Sequence, residues 1–329
     1  MAAEEFAAKG VAEKLEVKRK TAPARKGGSK LNRRNTLELL AMAAIPLALL
    51  ICFAYIPLGG LQLAFKKFNY ISGIWGSPWN GLKNFEFLFA SGDIWRITKN
   101  TIVLNCMFII TTTVGGIVFG IILNEIRLRA AIRVYQTAMF LPYLLSASVI
   151  AYIAFSFLNT EYGIINVIIK ALGGTPVMWY SEPKYWHAIL VIINLWKGLG
   201  YSTIIYYASI ISIDDSFYEA AAIDGAGWLK SRIYITIPFI MPMIVTLFIM
   251  NIGGIFYADF GLFYMVPKNQ GVLYPATDVI DTYVYRALMV DADYAKSAAT
   301  GLYQSFVGFV VVMLANAVAR RYNENSAIF

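Results

Sequence analysis

The chain has 329 residues, of which 58% are hydrophobic and only 15% charged, with a net charge of +8 and a mean hydropathy of +0.59. Soluble domains of this size seldom carry so much apolar surface, and the few charges sit at the N-terminus and between apolar runs, the pattern of a polytopic membrane protein. With one histidine, His187, there is no histidine-based triad or metal chemistry, and Cys52 and Cys106 lie in apolar runs where buried free thiols are expected.

In chain order, residues 1–36 form a basic tail, expected to be disordered. Its cations are not interleaved with aromatic residues, so it reads as a topology determinant rather than a nucleic-acid surface. It is too long and charged for a cleavable signal peptide. Six apolar runs follow, each long enough to cross about 30 Å of hydrocarbon. They give expected spans at about 37–65, 101–123, 134–158, 186–213, 238–257 and 298–319, with a C-terminal tail at 322–329. The segment 66–100 carries Trp75, Trp79 and Trp95, residues suited to the membrane interface. The segment 258–297 holds Asp278, Asp281, Asp291 and Asp293, whose spacing matches no calcium loop and which read as a solvated face.

Six spans place both termini on one side. That side holds 17 lysines and arginines against 10 on the other. The positive-inside rule puts the termini and the polar loop 214–237 in the cytoplasm.

This loop is the most informative segment. It cannot lie in hydrocarbon, because its charges would be stranded there. Ser216 and Glu219 have the spacing of a capping box, with Asp214 and Asp215 favourably placed at the helix N-terminus. Gly225 is expected to end the first helix in a left-handed conformation. A second short helix from Trp228 leads to Pro238, which suits the first turn of the next span.

Glu219, Ala220, Ala221, Asp224, Gly225, Ala226, Ile235 and Pro238 resemble the EAA loop of binding-protein-dependent ABC importer permeases, with Ile237 where that pattern has Leu. The stretch Phe53–Phe89, MFLPYLLS at Met139–Ser146 and NLWKGLGYSTIIYYASI in the fourth run are similar to the polysaccharide-type subfamily of carbohydrate permeases. The resemblance covers about 37–321. It implies an all-α, six-helix type I importer half in a bacterial plasma membrane. It further implies a second homologous permease, giving a heterodimer, two ATP-binding ATPase subunits, and an extracellular solute-binding protein. ATP and Mg would belong to the ATPases. The chain itself has no G-x-x-x-x-G-K-[ST] and so no nucleotide-binding loop of that kind. In that reading the first loop helix couples to the ATPase, with Gly225 decisive for its shape and Ala220 and Ala221 for its contact face.

Polar groups within spans are candidates for a substrate pathway. Lys197, flanked by Trp196 and Gly198, is the clearest. Tyr152, Asn194, Trp196, Tyr201, Asn251 and Tyr257 offer aromatic faces and hydrogen-bonding groups for a sugar. Lys197 has three readings: a partner for a uronate, a cation snorkelling to the interface, or one paired within a permease dimer. Asp259, beyond Gly253 and Gly254, has two readings, a group lining the external mouth and a loop-end carboxylate in water. Three other functions compete with a sugar importer. A non-sugar importer would keep the loop. A secondary carrier would show paired halves with broken helices, and no such repeat is evident. A membrane enzyme ranks last, for want of a catalytic constellation.

Overall fold

The computed structural model of the chain describes residues 30–322. The calls on 1–29 and 323–329, most of both tails, lie outside the described residues. Among these, the only strand-like pairing is a single bridge between Lys66 and Trp79; the rest is helix and turn. Among the described residues five helices are long and apolar enough to cross a membrane, and a sixth candidate is a pair of helices bent by 99°.

The chain forms two compact units divided at Gly59. In the first, α1 (Lys30–Leu50) runs into a π-helical turn at Ile51–Tyr55. Helix therefore begins several residues inside the expected tail. Leu37, Ile45 and Phe53 are exposed, and so is Cys52, which the sequence had suggested would be buried.

In the second unit, α2 (Asp93–Glu125) starts eight residues before the expected span. Its first two turns are polar and looked like loop. They stay helical because Asp93 pairs with Arg96 at 2.9 Å, and because Asn100 donates to the carbonyls of Pro275 and Asp278 at 3.1 and 3.0 Å. The third expected span is not one helix. α3 (Arg129–Phe140) and α4 (Ala147–Leu158) are separated by a tight turn at Leu141–Leu144. Pro142 cannot donate to a continuing ladder, and the Ser146 hydroxyl caps the new helix by accepting from Val149.

α5 (Trp186–Ile210) packs along α2 through Gly116, where a Cβ would lie 2.7 Å from that of Ser202. At Gly200 a Cβ would collide with the backbone of Met139 and Phe140, so glycine is what lets α5 cross the α3–α4 bend. The loop follows as α6 (Ser216–Ile223) and α7 (Trp228–Ser231), and α8 is Ile237–Gly253. α8 ends four residues earlier than expected. The backbone unwinds at Gly254, and Asn105 of α2 takes the freed carbonyl of Ile255 at 2.8 Å. α9 (Ile280–Met289) lies in the segment before α10 (Tyr294–Tyr322), which begins earlier than expected.

The four aspartates of that segment are not all a solvated face. The Asp278 side chain is fully buried, bound to Arg286 at 2.6 Å and Arg96 at 3.5 Å. Asp281 is half-buried and accepts from the Ala258 amide and from Gln304. Buried carboxylates are tolerable when so paired and hydrogen-bonded.

Candidate functional site

The loop and a polar cavity are physically connected. At the loop, the Asp214 carboxylate accepts from the Ser216 amide at 2.9 Å. The Ser216 hydroxyl and amide hold its pKa below the usual carboxylate range. The expected capping box is not made: Ser216 is already the first helical residue, because an ionised carboxylate is a stronger acceptor than a hydroxyl. Glu219 is exposed and has no side-chain partner among the described residues, which leaves it available to a partner. Ala220, Ile223, Asp224 and Pro238 are also exposed, while Ala221 and Ala226 are half-buried.

The helix ends in a Schellman motif. The Gly225 amide donates to the Ala222 carbonyl and the Ala226 amide to that of Ala221, at 3.1 and 2.9 Å. Gly225 has φ +76°. Ile223, 87% exposed, projects from the last turn.

α6 is held from beneath by groups that sequence reasoning missed. The Tyr218 hydroxyl meets that of the buried Thr236 at 2.9 Å. The Arg232 guanidinium lies 4.8 Å from the centre of the Tyr218 ring and forms an ion pair with Glu125, the last residue of α2. Glu125, an acid closing an apolar run, was the available signal. Around them Ile210 and Ile213 pack with Ile240 of α8, flanked by Tyr218, Ile117 and Ile121. The ends of α2, α5 and α8 thus meet under α6.

The same three helices wall a cavity of about 430 Å³. Asn194, Tyr201, Asn251, Tyr257 and Asp259 line it, together with Asn105, Thr112, Thr113 and Ser202, which sequence reasoning had passed over. Amide and hydroxyl groups dominate its polar lining, and they suit a hydroxylated ligand. Tyr201 stacks on Tyr143 with ring centres 5.1 Å apart. Lys197 makes a 2.5 Å ion pair with Asp259, whose other oxygen accepts from the Leu262 amide. Its charge is therefore satisfied within the chain.

Two expected pathway residues lie elsewhere. Trp196 lines a separate cleft of about 380 Å³ whose lining is wholly apolar, including Ile150, Phe157 and Ile189. Tyr152 opens onto a third pocket with Tyr264 and Lys268. Neighbours in helical sequence face different ways, and only the fold sorts them.

Residues 112–324 match the family described as binding-protein-dependent transport system inner membrane component. The chain is similar to protein LplB of Bacillus subtilis (strain 168), with 30% identity over 296 residues, 89% of this chain and 91% of the relative. It is similar to the polygalacturonan/rhamnogalacturonan transport system permease protein YteP of the same organism, with 33% identity over 274 residues, 83% and 84% of the two chains. It also resembles a chain of a bacterial alginate ABC transporter solved in complex with alginate pentasaccharide-bound periplasmic protein, with a TM-score of 0.79, 29% identity and coverage of 88% and 96%. The chain belongs to the family of inner membrane components of binding-protein-dependent transport systems, and its all-α fold is that of an ABC importer permease.

Proposed function

We propose that this chain is the permease subunit of an ATP-driven importer of oligosaccharides or polysaccharide fragments. It sits in a bacterial cell membrane with both termini and the 214–237 loop in the cytoplasm. Separate ATP-binding subunits, holding ATP and Mg, dock on α6. A second homologous permease completes the pathway, and an external solute-binding protein delivers the sugar.

The observation that carries this reading is the connection between loop and cavity. α5 and α8 supply cavity walls at Asn194, Tyr201 and Asn251, and both end in the packed cluster of Ile210, Ile213, Ile240 and Tyr218 beneath α6. A displacement of α6 by a docked ATPase is therefore transmitted to both walls, because a close-packed cluster moves as a unit rather than deforming. Arg232 and Glu125 tie the same movement to α2, the third wall. The substrate class follows from the amide- and hydroxyl-lined cavity and from the saccharides named for YteP and the alginate transporter.

The test is uptake by vesicles holding the assembled transporter and its binding protein. Saccharide accumulation that requires ATP inside the ATPase-bearing compartment is expected. Accumulation driven by an ion gradient without ATP would establish a secondary carrier instead.

A further inference from the structure

The pocket onto which Tyr152 opens has about 530 Å³ and is bordered by Ser148 of α4 and by Tyr264, Lys268 and Asn269. Its shape depends on an unusual turn. The Lys268 amide donates to the Met265 carbonyl and the Asn269 amide to that of Tyr264, each at 3.1 Å. This is the Schellman pattern, and its left-handed position ordinarily belongs to glycine. Here a lysine fills it, at φ +55°, followed by Asn269 at φ +48°. A side chain held in a disfavoured backbone conformation points to a use for that side chain.

The Lys268 ammonium lies 2.9 Å from the centre of the Phe155 ring and 5.7 Å from that of Tyr180. Among the described residues no carboxylate lies within ion-pair distance of it, whereas Lys197 has Asp259 and Arg286 has Asp278. Tyr152 is 72% exposed. The Asn269 side-chain oxygen accepts from the Tyr274 hydroxyl at 3.0 Å, and its NH2 has no partner among the described residues. A cation that rests on aromatic rings and has no carboxylate partner among the described residues, an amide donor and an open aromatic face thus border one concavity of ligand size.

We propose that Lys268, Tyr152 and Asn269 form a subsite for an acidic saccharide, separate from the cavity of Asn194 and Tyr201, in which Lys268 takes a uronate carboxylate. Tyr152 offers its face to the ring and Asn269 donates to a hydroxyl. An acidic side chain of a docking protein would need the cation alone; the concavity, the amide and the aromatic face favour a sugar. This subsite rests on the saccharide-importer reading above and gives it a charge preference.

The test uses the assembled transporter with its own binding protein, in proteoliposomes. The probes are tetragalacturonate and its fully methyl-esterified, uncharged form. Lys268→Gly keeps the left-handed turn, which glycine adopts freely, and removes only the side chain. It should raise the half-saturation concentration for the acid about tenfold, the order of one charge-assisted hydrogen bond. The ester should change by less than about twofold. Equal effects on both probes, or none, would overturn the subsite. So would weakened capture of ligand-free binding protein by Lys268→Gly, which would make the lysine a protein-docking residue. Import of the ester but not the acid by the parent would overturn the subsite and leave the importer reading intact. Failure of any saccharide to be imported or to stimulate ATP hydrolysis would overturn that reading itself.

Discussion

The turns at Gly225 and at Lys268 share a hydrogen-bond pattern and carry different things. Each ends a helical segment with paired amide-to-carbonyl bonds; the first sets Gly225 alone left-handed, at φ +76°, and the second sets both Lys268 and Asn269 so, at +55° and +48°. A Cβ at Gly225 would meet nothing within 4 Å, so neighbours do not require glycine there; the conformation alone does. The loop turn presents bare backbone and the small side chains of Ala220 and Ala222. The other turn accepts a left-handed cost of about 1–2 kcal/mol to hold a cation. On the proposed reading, one region is built to be approached closely by a broad surface, and the other to reach a single group.

The largest effect is expected where that economy is reversed. Gly225→Val forces a β-branched side chain into the left-handed region, at a local cost of about 1–3 kcal/mol. It should leave the protein in the membrane, reduce uptake at least about tenfold and lower ATPase capture, read by transport assay and pull-down. The reciprocal Lys268→Gly should gain up to about 1 kcal/mol in thermal stability while losing its charge preference. If both variants behaved alike, the two turns would not differ in purpose.

The two lysines sharpen the contrast further. Lys197 is neutralised by Asp259, so Lys197→Ala should depress uptake of acidic and neutral saccharides alike, by about tenfold, through an uncompensated Asp259. Lys197→Met with Asp259→Leu should recover part of the loss. A selective loss of acidic substrate in Lys197→Ala would return that lysine to the role of uronate partner.

The smallest effect concerns Asp281. Burial raises its pKa, outweighing the hydrogen bonds from Ala258 and Gln304. A raised folded pKa adds stability that is complete below the ordinary aspartate value of about 3.9 and is lost as pH rises through the folded value. Asp281→Asn keeps an acceptor for both donors. Its thermal midpoint should therefore gain on the parent as pH rises from about 4 to 7. Parallel curves would remove Asp281 as the titrating group.

Local pattern and long-range pairing explain what the sequence revealed. Gly225 and the EAA spacing are local, so both the turn and the family were legible. Asn194, Tyr201, Asn251 and Tyr257 were legible as polar groups in apolar runs, and they do meet in one cavity. The polar first turns of α2 were read as loop because their partners, Pro275 and Asp278, are more than 170 positions away. The Glu125–Arg232 pair spans 107 positions, so the acid at the end of an apolar run hinted at a partner without identifying it. Trp196 and Tyr152 border other pockets than the central cavity, because composition does not tell which face of a helix meets which neighbour. The bend after α3 rests on Pro142 and Ser146, local signals that continuous hydropathy hides.

Covalent trapping tests the central claim most directly. A photo-reactive residue placed at Ala220 or at Ile223 in the assembled transporter should form an adduct with the ATP-binding subunit. The same probe at Leu172, 82% exposed in a segment assigned to the opposite side, should not. Absence of that adduct at both loop positions, or its equal formation from Leu172, would contradict the coupling role of the loop.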